Sequence, residues 1–389
     1  MKRGLAARVW TIALASRLLV LAVGVVTVLL LFPRDSPVPF RVSADPVLNL
    51  PARWDAGWYL GIARTGYDWR PELHGHRHAL AFFPAYPVGM RMAGELVTVP
   101  ARVFNAPRLL DNGNTRVLWG GVLLSLVCFG VGACYAFQVT LLQDGDEGAA
   151  FRTIVLLAAY PFALFFSAPY SESLFLMVSA GTVLAWLRDR PGSALVWGLL
   201  TGLARSNGWT LTFALTADAI IRRRARGVSW MVVALGPAIG ALSYCVYVYT
   251  ITGNPFEWAT AQEGWGAALS PLSFLTRRVA GIAHQGFAGY VTANPIDVLT
   301  FLATAIAVAT AVWQAYRREW LFAVWTIAYL APALPVDLPA TGRMTAVLVP
   351  VFIQLARALK GPAFAAALVL FGAGQLALAV RFFSWQPPY

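Results

Sequence analysis

Asp55 is the carboxylate whose surroundings most favour a catalytic role. Trp54, Trp58 and Ile62 follow the three-to-four-residue spacing of a helix that lies in a membrane interface. This spacing sets Asp55 at the start of the helix, facing polar space beside an apolar wall, where a carboxylate can act as a general base. Capping of the same helix is the alternative role for this side chain.

Glu172 is a second carboxylate in an unusual setting, within the segment Tyr170-Ser171-Glu172-Ser173. Helix N-termini favour Glu and Ser as caps, so a structural role is again the alternative. A carboxylate that enters hydrocarbon is costly, however, and usually faces a cavity. The sequence therefore makes Glu172 a candidate for the same site as Asp55.

Arg205 and Arg343 are predicted to lie at helix ends on the same side of the membrane as the two acids. A planar guanidinium suits phosphate because it can donate two parallel hydrogen bonds. Snorkelling to the membrane surface explains either arginine alone equally well. Four unrelated helix caps would have no reason to converge on one face, so we expect a polar site there.

A second polar segment combines aromatic and amide side chains. Asn254 and Gln262 lie close to Trp258 and Trp265, a mixture that is typical of sugar-binding surfaces and also of an interfacial turn with an aromatic belt. The alternating histidines at 74, 76 and 78 resemble metal ligands, but alternate residues of an extended strand do not close a coordination sphere. We expect a structural or variable loop there.

The elements that position these residues are predicted to be membrane helices. Hydrophobic residues make up 58% of the 389 positions and charged residues 12%, about half the usual share of a soluble domain, which excludes a soluble globular enzyme. The net charge of +12 is scattered between apolar runs, which favours contact with membrane lipids and excludes a nucleic-acid binder. Only two cations, Lys2 and Lys360, are lysines, which is typical of a GC-rich bacterial gene.

The charge of the short turns predicts the orientation. Basic residues before the first apolar run place the N-terminus in the cytoplasm, and ten arginines fall in residues 33–116, a loop long enough to be exempt from the charge rule. We expect this loop and residues 251–292 to lie outside, and the basic short turns Arg222–Gly227 and Arg317–Glu319 to lie in the cytoplasm. Within the first loop, residues 82–104 are predicted to form an interfacial or re-entrant helix, with a full span as the alternative.

These assignments give one integral membrane domain over residues 1–389, an all-α bundle of about eleven helices. A break around Arg205-Ser206-Asn207-Gly208 separates two short spans, since joining them would move four arginines to the outside. Arg17, inside the first span, is expected to snorkel or to pair internally. The predicted spans cover residues 10–32, 117–142, 150–168, 172–187, 193–206, 207–221, 229–250, 296–316, 320–335, 343–358 and 362–380.

Five motifs in chain order resemble the PIG-V-like mannosyltransferases, the GPI mannosyltransferase 2 family. They are Arg-Trp-Asp-Ala at 53–56, Ile-Ala-Arg-Thr-Gly-Tyr at 62–67, Ala-Phe-Phe-Pro-Ala-Tyr-Pro at 81–87, Tyr-Ser-Glu-Ser-Leu-Phe at 170–175 and Ala-Arg-Ser-Asn-Gly at 204–208. Each motif alone is weak, but five in order are specific. The resemblance covers residues 10–265, whereas the C-terminal third matches only in its span pattern and near Arg343.

The resemblance implies a C-type glycosyltransferase (GT-C) bundle that takes mannose from polyprenyl-phosphate-mannose on the outer face of a bacterial plasma membrane. The acceptor would be a lipid-linked or surface glycan, and the transfer would invert the anomeric carbon. A GT-C transferase for another polyprenyl-phosphate sugar and a polytopic lipid or sugar transporter are the alternatives. The resemblance makes Asp55 the catalytic acid. Together with the residue arguments above, the predicted site has Asp55 and Glu172 as catalytic residues, with substrate bound by Arg53, Trp54, Tyr170, Ser171, Arg205, Asn207, Asn254, Gln262 and Arg343.

Cofactor use stays open at this stage. Many relatives carry a second acid beside the catalytic one, whereas Ala56 follows Asp55 here. No metal-ligand set is assigned, and a divalent cation is left as an alternative.

Overall fold

The computed structural model describes residues 1–31, 39–103, 112–221, 228–265, 273–334 and 341–387. These residues form helices and connecting turns without a β-strand, which confirms the all-α expectation. The helices are α1 Arg3–Val26, α2 Ala56–Thr65, α3 Ala85–Val103, α4 Gly113–Asp144, α5 Glu147–Ala159, α6 Glu172–Leu187, α7 Pro191–Ala204, α8 Leu211–Ile221, α9 Val228–Ala234, α10 Gly236–Thr252, α11 Glu257–Glu263, α12 Ser273–Ala293, α13 Pro295–Tyr316, α14 Trp320–Leu330, α15 Thr341–Thr345, α16 Val349–Ala358 and α17 Gly361–Phe383.

Fewer helices than expected are long enough to cross a membrane unaided. Within the described ranges, four helices have the length and composition of a span, and a fifth results if a bent pair counts as one. The four are Arg3–Leu31, Gly113–Asp144, Pro295–Tyr316 and Gly361–Phe383. Five further apolar helices have 10–17 residues. The expected count of about eleven spans is therefore not confirmed.

The predicted span over residues 150–168 is wrong as a single helix. Helix α5 ends at Ala159, Tyr160 is extended, and a 3-10 helix, Pro161–Ser167, follows at an angle of 80°. A proline disfavours helical geometry in the residue before it and has no N–H for the helix ladder, so the chain turns at this position.

Arg17 stabilises the bend from inside the bundle. Its guanidinium, which is fully buried, donates to the carbonyl oxygens of Ala158 and Ala163. The Gln375 amide donates to the carbonyls of Ala158 and Tyr160. A helix end in an apolar environment needs such partners for its free carbonyls. The expected internal pairing of Arg17 is thus present, and the side chain does not snorkel.

Two more predicted spans are interrupted at prolines. Residues 229–250 divide into α9 and α10 at Leu235, just before Pro237. Residues 343–358 divide into the short helix α15 and into α16, which has Pro350 in its first turn. The break predicted near Arg205 is present, because α7 ends at Ala204 and α8 begins at Leu211.

The two predicted outside loops contain helices of their own. Helix α3 occupies most of residues 82–104 and packs against α4; whether it crosses the membrane or lies at its surface stays a prediction. Residues 251–292 contain α11 and most of α12, which bends at Gly286. The turn predicted to be cytoplasmic at Arg222–Gly227 lies outside the described residues.

Candidate active site

Four charged side chains from distant parts of the chain form one ion network. The Arg343 Nη1 atom lies 3.0 Å from Asp55 Oδ2, and its Nε atom lies 3.0 Å from Glu172 Oε1. Arg205 Nη1 lies 2.5 Å from the same Glu172 oxygen. The network thus balances two carboxylates against two guanidinium groups, and Arg343 connects the two acids.

The four members differ in their access to solvent. Glu172 is 1% exposed, whereas Asp55 and Arg343 are 17% and 12% exposed. Asp55, Arg205 and Arg343 line a cavity of about 570 Å³, and Glu172 is not part of its lining. Asp55 can therefore contact a molecule in the cavity, while Glu172 lies behind the arginines.

Asp55 precedes α2 without capping it. Its side chain makes no hydrogen bond to the first turn, which argues against the capping alternative. Instead, its backbone N–H donates to the Tyr170 hydroxyl, and that hydroxyl donates to the carbonyl of Arg53. Tyr170 therefore fixes the main chain on both sides of Trp54 and orients the Asp55 carboxylate.

Trp54 adopts a backbone φ of 49°, a left-handed conformation that a bulky residue rarely takes. Its indole N–H donates to the Phe382 carbonyl, and the Arg53 guanidinium donates to the Phe383 carbonyl. Arg53 is 3% exposed and does not line the cavity. Helix α17 thus stabilises the strained turn before Asp55, and Arg53 has a structural position rather than the substrate contact expected of it.

Glu172 occupies the first turn of α6, where the helix dipole favours negative charge. The neighbouring Ser171 lines the cavity and accepts a hydrogen bond from the Tyr59 hydroxyl at 2.9 Å. Burial raises the pKa of Tyr59 to about 12, so the hydroxyl keeps the proton that it donates. Helices α2 and α6 are therefore joined by a neutral hydrogen bond beside the charged network.

Arg205 extends from the break between α7 and α8. Gly208 is required there, because an added Cβ would lie 2.0 Å from the Thr201 carbonyl oxygen. Asn207 donates its side-chain amide to the Tyr329 carbonyl and also lines the cavity. The chain passes close to Thr201 at this break, and the resulting turn directs Arg205 and Asn207 towards the cavity.

Aromatic rings form an apolar wall of the cavity. Trp58 stacks on Phe82 with ring centroids 5.9 Å apart, and Trp265 meets both rings edge-on. Phe40, Trp54 and Trp385 extend this surface. From the sequence, Trp265 was expected only as part of a sugar-binding or interfacial segment and Trp58 only as part of an interfacial helix, and Phe82 was not expected at the site. Only the aromatic content of their segments could have indicated them.

The second polar segment contributes one of its two predicted residues to the cavity lining. Gln262 lines the cavity, together with Arg77 from the first loop. Asn254 does not line it; its side chain accepts from the Phe256 N–H and donates to Glu257. Arg77, which the sequence did not single out, donates to the Gly264 carbonyl and joins the two loops.

The histidine segment contacts the same loop. Glu257, which is 1% exposed, lies 2.9 Å from His74 Nδ1 and 3.5 Å from His78 Nε2. Across the part of the chain that the structure describes, no three His, Cys, Asp or Glu side chains converge in a way that could hold a metal ion. Asp55 in the cavity lining and Glu172 behind it each contact a guanidinium, so these residues do not fit a divalent cation.

Comparison with known proteins gives the family context. The profile of a family described as "Mannosyltransferase (PIG-V)" matches residues 12–220, which include Asp55, Glu172 and Arg205 but not Arg343. GPI mannosyltransferase 2 of Drosophila melanogaster is 30% identical over 221 residues, covering 52% of this chain and 45% of the relative. GPI alpha-1,6-mannosyltransferase 2 of Cricetulus griseus is 28% identical over 206 residues, covering 52% and 38%. The chain therefore matches less than half the length of these relatives.

Among solved structures, an oligosaccharyltransferase of Archaeoglobus fulgidus, in complex with Zn and sulfate, aligns with 95% of this chain and 53% of its own. The TM-score is 0.46 and the sequence identity 14%.

Proposed function

Because the chain belongs to the PIG-V mannosyltransferase family, we propose that it transfers mannose from polyprenyl-phosphate-mannose to a lipid-linked or surface glycan. The reaction takes place on the outer face of a bacterial plasma membrane and inverts the anomeric carbon. The observation that carries the proposal is the pairing of an accessible carboxylate, Asp55, with Arg343 in a cavity that Arg205 also lines.

In this reaction, Asp55 is the general base. An acceptor hydroxyl attacks the anomeric carbon of mannose as its proton passes to the Asp55 carboxylate. The bond between that carbon and the phosphate oxygen breaks, and polyprenyl phosphate leaves with the electron pair. The access of Asp55 to the cavity supports this role, as does the absence of a capping hydrogen bond from its side chain.

Arg343 and Arg205 bind the phosphate of the donor. Charge develops on the phosphate oxygens as the bond to mannose breaks, and fixed guanidinium donors stabilise that charge without reorganisation. Glu172 lies behind both arginines, contacts both and is almost inaccessible. We therefore assign Glu172 to positioning of the arginines, in place of the catalytic role expected from its motif.

The aromatic wall provides the apolar contacts that the substrates need. Sugar rings pack their C–H faces against indole rings, and an isoprenoid tail needs an apolar surface near the membrane. Trp58, Phe82 and Trp265 contact one another and line the same cavity as the charged residues. Gln262 and Asn207 supply amide groups for the sugar hydroxyls.

Transfer by the purified full chain tests the proposal. The protein is incubated with radiolabelled polyprenyl-phosphate-mannose and a bacterial membrane lipid extract, with polyprenyl-phosphate-glucose as the matched donor. We expect label from the mannose donor in a product that an α-mannosidase releases. The variant Asp297→Asn, which weakens an Asp–Arg pair outside the cavity, is the control and should stay active.

Two results would overturn the proposal. One is transfer from the glucose donor at the same rate, which would remove the assignment of mannose. The other is movement of intact labelled donor between leaflets of a proteoliposome without any glycosidic product, which would make the protein a transporter.

A further inference from the structure

We propose that the protein binds the phosphate headgroup of an anionic phospholipid in a second cavity, at the end of the bundle away from the candidate active site. This cavity of about 640 Å³ lies where α4, α13 and α16 end and α5 begins. Its lining includes Arg152, Arg317, Arg357 and Lys360.

The two cavities are separated by about the thickness of a bilayer. Gly121 of α4 packs against Pro169, three residues before Glu172, whereas Asp144 at the end of α4 lines the second cavity. The 23 residues between Gly121 and Asp144 correspond to about 35 Å of helix at 1.5 Å per residue. The hydrocarbon core of a membrane is about 30 Å thick. The second cavity therefore lies at the opposite membrane surface.

Two of the four cations in the second cavity have acidic partners. Arg357 lies 2.6 Å from Asp144 and 2.7 Å from Glu319, which hold it in place. Arg152 lies 3.6 Å from Asp146. These ion pairs give the cavity a defined wall and leave the remaining two cations to determine what it attracts.

Arg317 and Lys360 are the two cations left for a ligand. Both side chains are exposed and line the cavity. Among the residues that the structure describes, neither side chain makes a hydrogen bond or a contact ion pair, and Lys360 attracts the Asp146 carboxylate only at longer range. A phosphate group between them would give each a partner. Guanidinium and ammonium groups around a cavity between membrane helices are the arrangement that binds anionic lipid headgroups.

Aromatic side chains indicate a lipid rather than a soluble phosphate. Trp313 lines the cavity and is 50% exposed, and Tyr316 is 78% exposed, with the two rings 5.7 Å apart. Exposed Trp and Tyr side chains are typical of the headgroup region, where one edge of the ring contacts hydrocarbon and the other contacts water. The cavity therefore lies where a headgroup enters it with the acyl chains remaining in the bilayer.

Lipid binding to the purified full chain tests this proposal. Native mass spectrometry compares phosphatidylglycerol with phosphatidylcholine, and inorganic phosphate serves as the soluble probe in a thermal-shift measurement. The test variant combines Arg317→Ala with Lys360→Ala. Its matched control combines Arg188→Ala with Arg190→Ala, which removes two exposed arginines from another turn, outside the cavity lining.

We expect the wild-type protein and the control to bind phosphatidylglycerol more tightly than phosphatidylcholine. Each surface cation typically strengthens the binding of an anionic lipid about 5-fold, so the test variant should bind phosphatidylglycerol about 30-fold more weakly. Equal affinity in the test variant and the control, or no preference between the two lipids, would overturn the proposal. Stabilisation by inorganic phosphate equal to that by phosphatidylglycerol would also overturn it, because the ligand would then be a soluble anion.

Discussion

The substitution Asp55→Asn separates chemistry from structure at the candidate active site. Asparagine keeps the shape of the side chain and one oxygen that can accept from Arg343, but it cannot take the acceptor proton. Arg343 keeps its contact with Glu172. The structural cost is one charge-assisted hydrogen bond at a partly exposed position, about 1–2 kcal/mol of unfolding free energy. The loss of a general base reduces the rate by 10²- to 10⁴-fold, about 3–5 kcal/mol in the barrier.

Glu172→Gln is the matched substitution of the other acid, and we expect it, unlike Asp55→Asn, to lose substantial stability. Glu172 is buried and contacts both guanidinium groups. Its neutralisation leaves Arg205 and Arg343 with Asp55 as the one acid of the network. Removal of one partner from a buried ion pair costs about 3–5 kcal/mol, so this variant should lose stability as well as activity.

The assay combines single-turnover transfer from labelled donor with thermal unfolding of the same preparations, followed by size-exclusion chromatography. We expect Asp55→Asn to unfold within a few degrees of the wild type and to transfer mannose at least about 100-fold more slowly. A folded Asp55→Asn protein with more than half the wild-type rate would refute the assignment of the base. Equal loss of stability in both variants would show that Asp55, like Glu172, mainly holds the arginines in place.

Four further predictions concern the phosphate site, the fold, the pH dependence of stability and the membrane orientation. Arg343→Lys should reduce transfer at least about 10-fold at an unchanged expression level, since a single ammonium replaces the planar group whose Nη1 and Nε atoms contact Asp55 and Glu172. An unchanged rate would remove Arg343 from the site. Arg17→Met should lower the unfolding free energy by about 2 kcal/mol, because the buried Ala163 carbonyl loses its Arg17 donor and the Ala158 carbonyl keeps only Gln375. Thermal unfolding beside an exposed-surface control checks this, and an unchanged midpoint contradicts it. Burial lowers the pKa of His78 below its value in the unfolded chain, so the unfolded chain binds more protons as the pH falls from about 7 to 5. The melting temperature of the wild type should therefore fall over this range by more than that of His78→Gln. Parallel pH profiles of the two proteins would contradict this. A cysteine at Glu72 should react with an impermeant reagent in intact cells and one at Arg317 should not; the reverse pattern would invert the orientation.

Local features of the site could be predicted from the sequence because they depend on neighbours in the chain. Asp55 at a helix start and the break after Ala204 follow from aromatic spacing and from the Arg-Ser-Asn-Gly segment. The bend at Pro161 also has a local cause, the proline itself. The apolar run over residues 150–168 is continuous, however, so hydropathy predicted one unbroken helix there. Periodicity describes apolar faces and does not show where a helix stops between apolar residues.

Contacts between distant residues could not be predicted in the same way. Asp55 and Arg343 are 288 positions apart, and nothing in either segment specifies the other as its partner. Arg17 and its carbonyl partners are likewise more than 140 positions apart. From the sequence, we could predict only that these charged residues lie near the same surface of the membrane. Which charges pair depends on the packing of the helices around them.

The order in which the network is synthesised has a consequence for membrane insertion. Glu172 begins α6 and Arg205 follows α7, so their ion pair closes a helical hairpin of 33 residues. This acid and this arginine can neutralise each other as the hairpin enters the bilayer, which lowers the cost of carrying either charge into hydrocarbon. Arg343 is translated 138 residues later, and until then Asp55 has no partner in the network. An insertion intermediate that ends between these arginines therefore holds a hairpin whose two membrane-facing charges are paired, together with a surface carboxylate that lacks its Arg343 partner. Helix α15 then completes the ion network, and α17, which is translated after it, supports the turn that holds Asp55.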